Sequence, residues 1–179
     1  LNRLRNVIGD REAVPAFLQI TRQTIQFNPV SDYWLDVAAF TDLLAAGANL
    51  QRRRPELCRS CARLLQKAVE LYGGDFLAGF SLSNNIPFEE WLVVEREHLR
   101  RQALEAFRQL AIYHEKCGEY AQVQHYARRQ IELELWHEEA HRRLMRALAL
   151  SGRRSEALAQ YEICHRVMVK ELGVEPTVE

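Results

Sequence analysis

Two stretches decide the fold: Gly118-Glu119-Tyr120-Ala121-Gln122-Val123 and, 34 residues on, Gly152-Arg153-Arg154-Ser155-Glu156-Ala157. That interval is the period of tetratricopeptide repeats, in which each unit is a pair of antiparallel helices broken by a tight turn. The flanks agree, since Leu110-Ala111 precedes the first glycine at the spacing at which Leu144-Met145 precedes the second. A small residue is needed where the helices of a pair cross, and Ala157 supplies it. Val123 is bulkier, Ala127 stands where such repeats carry an aromatic, and Leu135 where they often carry proline.

The spacing therefore predicts a mainly α fold: a tetratricopeptide-like helical repeat array preceded by a short N-terminal β-hairpin. The hairpin lies in Phe17–Asn28, where Leu18, Ile20, Ile25 and Phe27 alternate with polar residues at period 2. Pairing Ile20 with Ile25 and Leu18 with Phe27 puts both apolar pairs on one face. Arg22-Gln23 is then the turn, with Arg22 at an exposed tip. Upstream, Leu1, Leu4 and Ile8 share one face of a helix that Gly9-Asp10 ends.

Between hairpin and repeats, Asp36 is placed to cap a helix that buries Val37, Phe40 and Leu44, with Leu35 and Phe40 as a hydrophobic staple and Gly47 as its close. Gly47 to Pro55, with Arg52-Arg53-Arg54, reads as a linker whose arginines are either solvated or a phosphate contact. From Pro55 the stripe Leu57, Cys61, Leu64, Ala68, Leu71 predicts another helix, ended by Gly73-Gly74. Phe76, Leu77 and Phe80 follow in a loop, and three large apolar side chains there predict a plug between helices. Pro87 opens the longest helix, to about Lys116, with Leu92, Leu99, Ala103, Ala106, Leu110, Tyr113 and Cys117 as its buried stripe.

Composition bounds the function. The chain has 179 residues, 47% hydrophobic and 27% charged, with 24 Lys+Arg against 24 Asp+Glu. This is ordinary globular material with no global charge for nucleic acid. Residues 1–30 do carry Arg3, Arg5, Arg11 and Arg22 against Asp10 and Glu12. No apolar run approaches a membrane span and no signal peptide opens the chain, so it reads as cytoplasmic, with its four cysteines reduced. Starting at Leu1 within a helical pattern, it reads as a fragment.

Motifs for chemistry are weak. His137-Glu138-Glu139-Ala140-His141 matches the spacing of zinc proteases. It falls at the start of a repeat helix, where acidic residues favour the dipole, and Glu162 is the one third ligand to be named. Cys58-x-x-Cys61 lacks a second pair, and Gly74–Gly79 lacks the lysine of a phosphate loop. No enzyme activity, metal, cofactor or small ligand is expected.

In order along the chain, the hairpin, Trp34-Leu35-Asp36-Val37, Tyr72-x-Gly74-Asp75-Phe76-Leu77-x-Gly79, Trp91 with Glu95-Arg96, and two terminal repeats resemble the bacterial transcriptional activator domain. That domain occurs in the antibiotic-regulatory-protein family of activators and in larger regulators, after a winged helix-turn-helix DNA-binding domain. The resemblance implies that residues 1–30 are the end of a winged domain and residues 31–179 the activator domain. Leu1–Ile8 then corresponds to the latter part of a recognition helix and Phe17–Asn28 to the wing. DNA contacts by that carry-over are Asn2, Arg3, Arg5, Thr21, Arg22 and Gln23. The repeats imply a protein partner or self-association, and repeat spacing aligns Arg108 with Arg142 and Ile112 with Arg146 on the groove. Those arginines either meet an acidic partner segment or are solvated. The rival reading is a free-standing repeat adaptor with no DNA role.

Overall fold

The computed structural model describes residues 1–53 and 59–176. The elements are α1 (Asn2–Val7), β1 (Leu18–Ile20), β2 (Ile25–Phe27), α2 (Asp36–Arg53), α3 (Arg59–Leu71), α4 (Ile86–Lys116), α5 (Tyr120–Leu133), α6 (Glu138–Leu150) and α7 (Arg154–Val167). A π-helical turn over Met168–Leu172 follows α7. The chain divides into two compact units, Leu1–Ala39 and Phe40–Glu179.

In the first unit β1 and β2 pair antiparallel, Leu18 opposite Phe27 and Ile20 opposite Ile25, as the alternation predicts. The turn forms without Asn-Gly because the Thr21 side chain replaces a backbone acceptor. Its Oγ1 accepts from Gln23 N at 3.2 Å and Thr24 N at 2.9 Å. Thr21 N donates to Thr24 O at 2.9 Å, which closes the strand end. A hydroxyl bonding the backbone two or three residues on is a turn device available to Ser and Thr.

In the second unit the repeat period appears as geometry. Gly118 has φ +72° and Gly152 φ +78°. At the first, Gly118 N donates to Glu115 O (3.1 Å) and Glu119 N to His114 O (2.9 Å). At the second, Gly152 N donates to Ala149 O (3.0 Å) and Arg153 N to Leu148 O (2.9 Å). Both are the paired closures of a helix C-terminus whose next residue is left-handed, a conformation glycine enters without a Cβ clash. Successive helices from α3 to α7 pack on their neighbours. The core runs through Leu92, Phe107, Leu110, Val123, Leu144 and Leu148, each at most 2% exposed. Val123, the bulky residue of the first repeat, is fully accommodated. Ala157 is half-buried against Ala127, Leu144 and Leu148.

Several expectations are corrected. Gly47 does not end α2, which continues to Arg53. It is a buried helical residue, and a Cβ there would sit 3.6 Å from Leu65 Cδ2. The linker expected after Gly47 is therefore helix as far as Arg53, while Arg54, Pro55, Leu57 and Cys58 lie outside the described residues. On α3 the buried face is Cys61, Ala62, Leu65, Ala68 and Val69, rotated from the expected stripe so that Leu64 and Leu71 are half-buried. Cys117, placed on a buried stripe of α4, is exposed at its C-cap, and Tyr113 is half-buried.

The loop after α3 does not plug the core either. Leu77 and Phe80 are 40% and 48% exposed. The side chains pair with α4 instead: Phe76 lies edge-on to Trp91, and Phe80 edge-on to Phe88. Edge-to-face aromatic pairs gain from the ring quadrupoles beyond the area they bury, so the loop can stay wet on its outer side.

Candidate functional site

Three places carry the residues singled out from the sequence. The first is the hairpin unit. Arg22 and Gln23 are exposed at the tip, and Thr21 is exposed but committed to the turn through its Oγ1. On α1, Arg3 is exposed and Asn2 Oδ1 accepts from Arg11 at 3.2 Å. Arg5 is engaged within the fold, since its Nε donates to Asp10 Oδ2 at 2.7 Å, while Asp10 Oδ1 accepts Leu18 N at 2.7 Å. Asp10 is 1% exposed, and the Arg5 hydrogen bond holds its carboxyl below the usual carboxylate range. A buried carboxylate thus joins α1 to β1. Sequence reading took Asp10 for a helix end and missed this.

The second place is the His137–His141 pair. His137 Nδ1 accepts Ala140 N at 3.3 Å, capping α6. His141 is 1% exposed; its Nε2 donates to Leu135 O at 2.9 Å and its Nδ1 accepts from Gln160 Nε2 at 2.6 Å. Both ring nitrogens are engaged, which pins the α5–α6 turn to α7. Burial pushes the His141 pKa below the ordinary imidazole value. Glu162 is exposed on α7.

The third is the face shared by α4 and α6. Arg108 forks onto Glu105 with both bonds at 2.7 Å, holding the Glu105 carboxyl below its usual range. Arg142 meets Glu139 at 3.0 Å and Arg146 meets Glu115 at 3.2 Å. Arg143, which spacing did not select, bridges the two acids: 2.7 Å to Glu139 and 3.6 Å to Glu115. A depression of about 450 Å³ is lined by Glu115, Glu139, Arg142, Arg143, Met145 and Arg146. Arg108 and half-buried Ile112 do not line it, but fall on the α4 row that leads from Glu105 to Glu115. Among the described residues no group of three or more His, Cys, Asp or Glu is arranged to hold a metal ion.

The motif joining the two halves of the array is a bracing structure. Asp75 accepts from Arg100 at 3.0 and 3.1 Å, and Arg96 donates to Phe76 O at 2.7 Å and Leu77 O at 2.6 Å. Leu77 is held at φ +48° beside Gly79 at +74°. Residues 35–179, which include this motif and the whole array, match the bacterial transcriptional activator domain. The chain belongs to that family.

A relative is regulatory protein AfsR of Streptomyces coelicolor, 32% identical over 148 residues that cover 79% of this chain. The chain spans 13% of that protein's length. The bacterial transcriptional activator domain is a family of transcriptional regulators and not of enzymes. No described helix is long and apolar enough to cross a membrane.

Proposed function

We propose that this chain is the piece of a bacterial transcriptional regulator in which residues 1–30 complete a winged helix-turn-helix DNA-binding domain and residues 31–179 are an activator domain making protein contacts. The observation that carries it is the hairpin: a two-stranded ribbon with Arg22 at its tip, tied by Asp10 to a short helix that presents Arg3, and followed by an array of the activator family. A helix end reads base edges in the major groove, and an arginine on a ribbon tip enters a narrow minor groove or meets phosphate. Asn2, Arg3, Thr21, Arg22 and Gln23 are the DNA-facing set. Arg5 belongs to it as a positioning residue, its Nε being held by Asp10. The array contributes self-association or partner contacts through Arg108, Ile112, Arg142 and Arg146.

Arg22→Ala in the intact regulator is the test. A phosphate contact predicts weaker promoter binding at all sequences and a salt-dependence slope lower by about one. A base contact predicts relaxed preference at one operator position, by roughly 1 to 3 kcal/mol. Wild-type affinity, slope and specificity together would overturn the wing assignment and favour a repeat adaptor without a DNA role.

A further inference from the structure

Shifted by the 34-residue period, Gln124, Ala127 and Ile131 of α5 fall on Leu158, Tyr161 and His165 of α7. On α5 that row meets the next helix, α6. Gln124 bonds Ala147 O and Ser151 Oγ there, and Ala127 and Ile131 pack with Leu144 and Leu148. Among the described residues no further helix follows α7 and its π-helical turn. The row nevertheless gains apolar surface where its equivalent on α5 is covered. Leu158 is 62% exposed and Tyr161 46%, His165 is half-buried, and exposed Val169 carries the row into the π-helical turn. Helical repeat arrays stay soluble through a polar outer face on the last repeat, and this row is not one.

The row is complementary to itself. Its steps are three residues from Leu158 to Tyr161, four to His165 and four to Val169, nearly the same when read in either direction. Two copies of α7 laid antiparallel, with a two-fold axis between Tyr161 and His165, set Leu158 against the partner's Val169 and Tyr161 against the partner's His165. Such an isologous contact uses one surface twice.

The charges beside the row agree with this pairing. Glu162 and Arg166 are both exposed and lie on the same flank of it, about 40° apart at 100° per residue. A two-fold axis between antiparallel helices brings that flank of one copy against the same flank of the other. Glu162 then faces the partner's Arg166, and the reciprocal pair forms on the other side of the axis.

We propose that the Leu158, Tyr161, His165 and Val169 row of α7 is a homodimer surface, on which a second copy of this chain docks its own α7 antiparallel. One helix face is a small interface, so the association is weak and depends on concentration. The inference rests on the reading of the array as a contact domain and assigns its self-association to α7, leaving the α4–α6 face to other partners.

The test is sedimentation equilibrium of the full chain and three variants at exposed positions: Leu158→Glu, Glu162→Arg and Arg166→Glu. Unchanged circular dichroism and melting establish that each is folded. Leu158→Glu should weaken the dimer by on the order of a hundredfold, since the leucine is buried in both copies. Each charge reversal alone opposes like charges across the axis twice and should weaken it by roughly tenfold. An equimolar mixture of Glu162→Arg and Arg166→Glu should regain near wild-type affinity as a heterodimer, because both cross-pairs are then opposite in sign. An effect confined to one helix cannot produce that recovery.

No recovery on mixing, or wild-type association in Leu158→Glu, overturns the proposal. Recovery in this chain but not in the intact regulator means that another segment covers α7, and also overturns it. Self-association that survives Leu158→Glu but is lost in Arg146→Glu overturns the α7 assignment while the contact-domain reading stands. If the chain stays monomeric, the α7 proposal falls. If, in addition, Arg146→Glu leaves transcription activation by the intact regulator unchanged, the contact-domain reading falls with it.

Discussion

At the residue scale, polar side chains that look like surface or chemistry in the sequence are structural ties. Gln124 is 4% exposed and links the repeats, donating to Ala147 O (3.3 Å) and Ser151 Oγ (3.0 Å) and accepting from Arg153 (2.8 Å). Buried polar groups need such partners, so their identity follows from what surrounds them. His141 carries a pH dependence. Its folded pKa lies below the ordinary value of about 6.5, so the unfolded chain binds a proton more readily. The stability it contributes is complete above that value and is lost as pH falls below it toward the folded pKa. Protonation also takes away the Nδ1 acceptor; turning the Gln160 amide restores a partner, and burial remains as the cost. Urea midpoints should therefore fall between about pH 7.5 and 5.5, and His141→Gln should flatten that part of the curve. An equal slope in variant and wild type would remove His141 as the cause.

At the element scale, glycines of one sequence appearance have opposite consequences. Gly118 and Gly152 sit at positive φ and close helices, so alanine at either position forces a left-handed backbone costing about 1 to 2 kcal/mol. Gly47 is in mid-helix, and its added Cβ meets Leu65 at ordinary contact distance. Alanine there removes the helix penalty of glycine, so Gly47→Ala should stabilise by about 0.5 to 1 kcal/mol. Denaturant titration of the three variants should give a higher midpoint for Gly47→Ala and lower midpoints for the others. The sequence does not separate these cases, because Gly47 follows an amphipathic run as a C-terminal glycine does; only the helix packed across it shows that the chain continues. At Ala157, half-buried against Leu144 and Leu148, leucine should cost about 1 to 3 kcal/mol by overpacking, read as a lower midpoint.

At the scale of the whole molecule, the unit from Phe40 onward has its own core, with Phe40 beside Tyr72 and the α3–α7 stack continuous. A polypeptide of residues 35–179 should accordingly fold alone, with one cooperative thermal transition by circular dichroism. A non-cooperative melt would show that the array needs residues before α2. The candidate sites divide the same way. The hairpin residues were legible individually, because alternation at period 2 places a turn. The α4–α6 face was legible only in part, since repeat spacing selects Arg108, Ile112, Arg142 and Arg146 as equivalents but does not report that Arg108 is neutralised or that Arg143 bridges two acids.

What the sequence by itself determined is what short-range physics writes into it. The 34-residue interval, the turn glycines, the strand alternation with its register, and the span of α4 all follow from backbone conformation and apolar period within a few residues. The family follows too, from motifs that the fold uses as braces. What only the tertiary structure decided is where those local pieces meet. Asp10 as the tie between α1 and β1, the exposure of Leu77 and Phe80, the burial of Gly47, and the meeting of Arg143 and Arg146 with Glu115 each depend on residues brought together by the fold. Burial and charge pairing are properties of neighbours in space, and a one-dimensional period does not specify which neighbour arrives.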